Sequence, residues 1–348
     1  MKEVKSSFQF PASSTSHVPR STARRRPHIR TSPVEPRTSH VTEFCNTIPP
    51  MLFTRREWGV TVAGAIIATP LARLAAQSRS VVAGVRIGAQ TYVFRGMPLD
   101  QVPAAFKTIG LSFAELWSGH VETRVAIGAT DDIAPADRRE LLRTWRTKSP
   151  LSAFEAIRTK FADAGVALTS YDVPYRDDWS EDEIKRSFEM AKALGVSVIT
   201  SSAGTSVVPR VAKLLEGSGV KVSFHNHSAI RAGEFATPED FSTAMKASPN
   251  IGVTLDIGHF TAANFDAVKF LDEHHDRIHA LHIKDRKREQ GAGVPFGQGD
   301  APIAAVLQRL RDRKWDIPAH IEFDYRPADV VAEVTTCYEY CRKALETR

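Results

Sequence analysis

GVTLDIGHFTAANFDAVKFLDEHHDRIHALHIKD, residues 252–285, holds two short β-branched runs, Gly252–Ile257 and Ile278–Ile283, separated by an amphipathic stretch. Both runs are of strand length, and both lead into polar residues: Asp256-Ile257-Gly258-His259 and His282-Ile283-Lys284-Asp285. Strand, helix, strand is the unit of a parallel sheet, because parallel neighbours need a crossover rather than a tight turn.

The same unit repeats on both sides of this stretch. Val85–Thr91, Ser112–Trp117, Ala167–Val173, Val196–Ser201 and Val220–His225 read as earlier strands, and Ala319–Phe323 as a last one. Leu151–Ala164, Glu181–Ala193, Pro238–Ala247 and Ala301–Arg313 have helical periodicity. Gly165, Gly195, Gly219 and Gly252 read as helix ends running into strands, where glycine relieves a left-handed cap. Eight such units in about 270 residues match a closed (β/α)8 TIM barrel, which takes about 250. A doubly wound open sheet would carry a glycine-rich phosphate loop after its first strand. Here that strand runs into Gln90-Thr91-Tyr92-Val93-Phe94-Arg95.

Charge excludes one large class of partners. Of the formal +6, residues 1–50 carry +5 and residues 51–77 carry +2, so the barrel has a net −1. Such a domain has no electrostatic footprint for nucleic acid. Three cysteines, Cys45, Cys337 and Cys341, support neither a disulfide framework nor a thiolate zinc site.

Residues 1–50, rich in Ser, Thr, Pro and Arg, are expected to be disordered. Residues 51–77 read as a signal peptide: Thr54-Arg55-Arg56, an apolar run from Trp58 to about Ala72, then Ala75-Ala76. The arginine pair resembles a twin-arginine export signal, so the barrel, residues 78–348, is expected outside the cytoplasm, with membrane contact only through export or an uncleaved leader. Translation starting at Met51 would leave residues 1–50 out of the protein.

In a β/α barrel the C-terminal strand ends build the active site. Strand 5 ends in Phe224-His225-Asn226-His227, strand 6 in Asp256 and His259, strand 7 in His282 and Lys284, and strand 8 in His320-Ile321-Glu322-Phe323-Asp324. A lone histidine there is ordinarily a structural residue, and an aspartate after a strand is commonly a helix N-cap. Four consecutive strands delivering imidazole or carboxylate to one face point instead to a divalent metal site of catalytic type.

At these residues the chain resembles the xylose isomerase-like barrel superfamily, in its sugar phosphate isomerase/epimerase branch, over roughly residues 84–345. LDIGHF resembles the strand-6 motif, HALHIKDRKR the strand-7 motif with a basic residue six positions after the histidine, HIEFDY the strand-8 motif, and PFGQGDAPI the loop between strands 7 and 8. The resemblance implies Asp256, His282 and Glu322 as metal ligands, with Mn, Mg, Zn or Co as the ion. Many members carry a glutamate at the end of strand 5, whereas this chain has His225. Inosose dehydratase-like branches do place histidine there. His225 is the first choice as fourth ligand, with His227 and Glu234 as alternatives.

The chemistry implied is a sugar isomerase or epimerase that removes a proton alpha to a metal-bound carbonyl of a sugar or polyol. Export argues for an unphosphorylated substrate. The alternatives are a dehydratase or lyase on a keto-inositol or 3-keto-glycoside, a non-catalytic sugar-binding barrel, and an endonuclease IV-like hydrolase. Glu322, Glu115, His259 and Lys284 are the candidate acid–base residues. Trp117, His120, His227 and Arg288 are the candidate substrate-binding residues, with Arg95 and Arg286 as further sites for an anionic group. A chain beginning near Ser78 is expected to fold and keep its activity, since no strand begins before Val81. Thermal melting followed by circular dichroism checks this; aggregation of the shortened chain alone would mean that the leader is structural.

Overall fold

The structure, a computed structural model, describes residues 79–347 apart from residues 124, 125 and 131. The expected leader therefore lies outside the described residues. Eight strands follow in order: β1 (Val85–Gln90), β2 (Phe113–Trp117), β3 (Ala167–Asp172), β4 (Val198–Ser201), β5 (Lys221–His225), β6 (Ile251–Asp256), β7 (Ile278–Ile283) and β8 (Ala319–Ile321). Each pairs in parallel with the next. The sheet closes between β1 and β8 through Ile87↔Ala319, Gly88↔His320 and Ala89↔Ile321. The fold is a (β/α)8 TIM barrel. A two-residue strand, Val81–Val82, folds back antiparallel on β1.

Among the described residues ten helices surround the barrel: α1 (Val102–Ile109), α2 (Pro135–Lys148), α3 (Leu151–Asp163), α4 (Glu181–Ala193), α5 (Val208–Leu215), α6 (Pro238–Ala247), α7 (Ile257–Ala262), α8 (Ala267–His274), α9 (Ile303–Arg313) and α10 (Val330–Glu346). Local sequence fixes several of their starts. Ser180 and Glu183 form a capping box at α4, and Thr237 and Asp240 form another at α6. Apolar residues such as Phe106, Phe154, Phe161, Phe241 and Phe270 are buried in the core. No helix among the described residues is long and apolar enough to cross a membrane. Cys337 and Cys341 are buried free thiols on α10.

The barrel interior is strongly polar. Glu115, Ser170, Thr200, Ser223, Thr254, His282 and His320 are all buried on its strands. Such groups are tolerated only where they satisfy one another. A bulge makes one such contact. The β2–β3 register shifts between Ala114↔Leu168 and Glu115↔Ser170, and Ser170 Oγ donates to Glu115 Oε2 at 2.7 Å.

Glycine meanings differ from the sequence expectation at one position. Gly165, Gly195 and Gly219 are left-handed, with φ of 78°, 79° and 71°. Gly252 is not; it lies inside β6, and a Cβ there would sit 2.4 Å from the Arg277 carbonyl oxygen. Its role is close strand approach rather than capping. Gly252→Ala is expected to destabilise the barrel by about 1–3 kcal/mol, the usual cost of overpacking. Chemical denaturation checks this, and an unchanged midpoint would contradict the close approach.

Candidate metal centre and cavity

The ends of β5 to β8 are held by local hydrogen bonds before any ligand is considered. Asn226, just past β5, is fully buried. Its amide nitrogen donates to the Asp256 carbonyl, and its amide oxygen accepts the Asp256 N–H, both at 3.0 Å. This clamp fixes the backbone of Asp256. One carboxylate oxygen of Asp256, Oδ1, accepts the His259 N–H at 2.7 Å and caps α7. The other, Oδ2, is turned toward the side chains of the neighbouring strand ends. Beyond β8, the Glu322 N–H donates to the Ile283 carbonyl at 3.0 Å and extends the ladder by one step.

Four side chains converge at this point: His225, Asp256, His282 and Glu322, all buried, with ligand-type atoms within 4.8 Å of one another. His225 Nε2 lies 3.5 Å from Asp256 Oδ2 and 4.0 Å from Glu322 Oε2, and His282 Nδ1 lies 2.5 Å from Glu322 Oε2. These four atoms, one from each residue, are buried without a well-formed hydrogen bond. Lys284 is ion-paired with Asp256 Oδ2 and His282 Nδ1 faces Glu322 Oε2, yet two imidazoles and two carboxylates turned on one buried point are a donor set that fits a shared cation. These residues could hold a divalent metal ion.

Behind the cluster stands Glu115. Its Oε1 accepts from His282 Nε2 at 2.8 Å, leaving Nδ1 directed at the cluster. This carboxylate–imidazole pairing is the arrangement that orients a metal-ligating histidine. Burial alone would raise the Glu115 carboxyl, but His282 and then His320 pull it down to about 2. Thr169 Oγ1 and His320 Nε2, 2.8 Å apart, extend the network below.

Lys284 occupies the other flank. Its ammonium is 3.0 Å from Asp256 Oδ2, 3.0 Å from Glu322 Oε1 and 3.1 Å from His259 Nε2. Burial opposes its charge, but Asp256 and Glu322 outweigh that and hold its pKa above the usual lysine value. Burial would raise Asp256 and Glu322 too, yet Lys284, joined by His259 at Asp256 and by His282 at Glu322, keeps both well below the carboxylate range. His259 is neutral at pH 7, because burial and then Lys284 push it well below the usual imidazole value.

Over this floor opens a cavity of about 370 Å³. Tyr92 and Trp117 form an aromatic wall, their rings edge-on at 5.1 Å. Gln90 donates to Asp172 Oδ2 at 3.0 Å on the opposite flank from His259 in the lining. Burial, then repulsion from Glu115, raises the Asp172 carboxyl well above its ordinary value; Glu322 adds to the rise, while His282 and the Gln90 amide oppose it.

Of the sequence candidates, His225, His227, His259, His282, Lys284, Glu322 and Trp117 line the cavity. Glu234 is 3.9 Å from His227 and outside the four-residue cluster. Three expectations are corrected. Glu115 is fully buried behind His282, because the β2 bulge turns it into the barrel, so it positions a histidine and meets no substrate. His120 is held behind the wall, its Nε2 bonded to the Thr91 carbonyl at 2.9 Å and its ring edge-on to Trp117. Arg288 is exposed on the turn that follows Asp285 and does not reach the cavity. Arg286 comes nearer instead, with Nη1 2.7 Å from His259 Nδ1. Asp172 and Gln90 were missed, although each ends a strand as the barrel rule requires.

Among curated proteins none matches this chain. Solved structures share its fold. A 3-keto-D-glucoside 4-epimerase of E. coli, in its apo form, aligns at 14% identity and TM-score 0.55, covering 74% of this chain and 99% of its own. A sugar phosphate isomerase/epimerase of Parabacteroides distasonis aligns at 16% identity and TM-score 0.54, over 77% of this chain and 97% of its own. The IOLI protein, solved with a zinc atom bound, aligns at 15% identity and TM-score 0.55, over 75% and 98%. Identities this low speak for the fold alone. The sequence model of the xylose isomerase-like TIM barrel matches residues 104–339, and the chain belongs to that family.

Proposed function

We propose that this protein is a divalent-metal-dependent isomerase or epimerase of an unphosphorylated sugar or keto-sugar, acting by removal of a proton alpha to a carbonyl. One observation carries the reading: His225, Asp256, His282 and Glu322 bring ligand-type atoms within 4.8 Å of one another, and three of them line a cavity whose walls hold groups able to give and take protons. His225, Asp256, His282 and Glu322 would hold the ion, whether Mn, Mg, Zn or Co. When bound, it supplies Lewis-acid polarisation of a substrate carbonyl. A sugar phosphate isomerase/epimerase and a 3-keto-D-glucoside 4-epimerase share the fold; the reaction class proposed rests on the donor set and the cavity.

The chain's own residues divide the remaining work. Tyr92 and Trp117 offer ring surface to a sugar. His259 and Glu322 line the cavity where they would meet a proton leaving the substrate, and Asp172 lines it where it would return one. Groups with pKa values pushed apart in one cavity are how acid and base roles separate. A proton taken at one face and returned at the other gives epimerisation; returned to the neighbouring oxygen, it gives isomerisation. Lys284, kept charged, donates to an oxygen gaining negative charge. The preference for an unphosphorylated substrate rests on the export proposed for residues 51–77, since phosphosugars are cytoplasmic.

Two measurements test this. Chelator-treated protein should gain stability on adding a divalent ion, by about 2.7 kcal/mol at a hundredfold excess over Kd. Glu115→Gln should weaken metal affinity about 10–100-fold although it touches no cavity; unchanged affinity would remove Glu115 from its positioning role. For the chemistry, metal-loaded protein incubated in D₂O with sugars and 3-keto-glycosides should incorporate deuterium alpha to the carbonyl. Asp172→Asn should slow turnover about 10²–10⁴-fold with metal content intact. Turnover with full retention of an alpha deuterium and no primary isotope effect would make hydrolysis the better reading.

A further inference from the structure

A second cavity, of about 300 Å³, opens beside the first and shares Trp117, Pro174 and Arg176 with it. Its remaining walls come from the start of the loop after β2, from α2 and from the loop after β3. Four arginines line it, Arg138, Arg139, Arg146 and Arg176, against two carboxylates, Glu122 and Asp178.

The four arginines are not alike. Arg146 forks onto Glu122, with bonds of 2.8 and 2.6 Å, and its guanidinium lies 3.7 Å from the Trp179 ring centroid. Arg139 is bonded to Asp178 at 2.6 Å and to both oxygens of Glu183 at 2.9 Å. Those two are built into the wall, and their charge is answered. Arg138 and Arg176 are exposed, and among the described residues neither guanidinium has a hydrogen bond or ion pair. Both carboxylates of the lining are already engaged by Arg146 and Arg139. Two free guanidiniums therefore overlook a cavity whose wall begins at Trp117, the same side chain that walls the metal-type cavity.

We infer that the substrate of this protein is a two-unit glycoside: one sugar sits over the His225, Asp256, His282 and Glu322 floor, and a second, anionic unit lies in the arginine-lined cavity. This rests on the sugar-processing reading above and names its substrate class. A single sugar would reach only the first cavity, and a neutral second sugar would form no charge-assisted bond with Arg138 or Arg176, both exposed on its wall. A uronic acid carboxylate or a sulfate ester meets both, because the planar guanidinium pairs with such oxygens in bidentate fashion. Linking the two units also makes the second contact intramolecular, which raises affinity beyond that of either part.

Titration calorimetry on the metal-loaded full-length protein tests this with four probes: glucose, cellobiose, a glucuronosyl-glucose disaccharide and a sulfated cellobiose. At least one anionic disaccharide is expected to bind about 3–5-fold tighter than cellobiose at low salt, the worth of a well-placed exposed ion pair, with the ratio falling as salt is raised. The uronic and sulfated arms tell carboxylate from sulfate. Arg138→Ala, at an exposed position lining only the second cavity, should abolish most of that ratio while cellobiose affinity stays within about twofold. Equal binding of neutral and anionic disaccharides, an intact ratio in Arg138→Ala, glucose binding as tightly as the disaccharides, or no binding of any probe would each overturn the inference. An intact acid preference with no deuterium exchange on any probe would instead sink the reaction and leave the second cavity's assignment standing.

Discussion

Everything in the upper half of the barrel depends on one constraint: two imidazoles and two carboxylates are forced to face each other within 4.8 Å. Backbone geometry imposes it, since β5 to β8 are adjacent and parallel and bring all four residues to one rim. Charges of one sign held this close in a dry site cost several kcal/mol unless they are compensated. Lys284 is the compensation the chain itself supplies, bridging Asp256 and Glu322 at 3.0 Å each. It cannot satisfy all four atoms, because it touches neither His225 nor His282. The remaining deficit lies at the centre of the cluster, where a cation would sit.

The second consequence is the polar interior. A histidine that presents Nδ1 to a cation needs something to hold Nε2, and that something must itself be satisfied. Glu115 fills the first role and is satisfied in turn by Ser170, with His320 3.6 Å away. The β2 bulge is what brings a glutamate to that spot. A barrel packed only with Val and Leu would be easier to build, but it could not fix the tautomer of His282. The interior thus reads as support for the floor of the cavity rather than as core.

Much of this was legible in the sequence, and for a definite reason. Strand runs are short and β-branched, and barrel geometry sends their last residues to one rim, so the late strand ends could be singled out by position; the resemblance narrowed them to Asp256, His282 and Glu322, with His225 the first choice beside them. What failed were residues whose direction depends on register. Glu115 looked like a rim residue because nothing in AELW announces a bulge. Arg288 looked like a cavity residue because counting six positions from His282 ignores the path of the loop; Asp285 accepts N–H groups from Gly297 and Gly299 and pulls that loop aside. Asp172 was passed over because only the late strands carried histidines, although the same rim rule applied to SYD at the end of β3.

Asp256 shows why the bland and the functional readings of a residue need not compete. As an N-cap it uses Oδ1 to start α7, and as a candidate ligand it leaves Oδ2 to the cluster. The two uses reinforce each other: capping locks the side-chain rotamer, and the locked rotamer aims Oδ2. Because α7 starts immediately after the strand, its first turn carries His259 back over the cavity, 3.9 Å from that same Oδ2. Lys284 and Arg286, both donors, then reach the two ring nitrogens of His259. A neutral imidazole has only one lone pair to offer, so one of these contacts is a donor facing an N–H. A substrate oxygen that took over one of the two donors would remove that mismatch, which ties the cavity's occupancy to the contacts of His259.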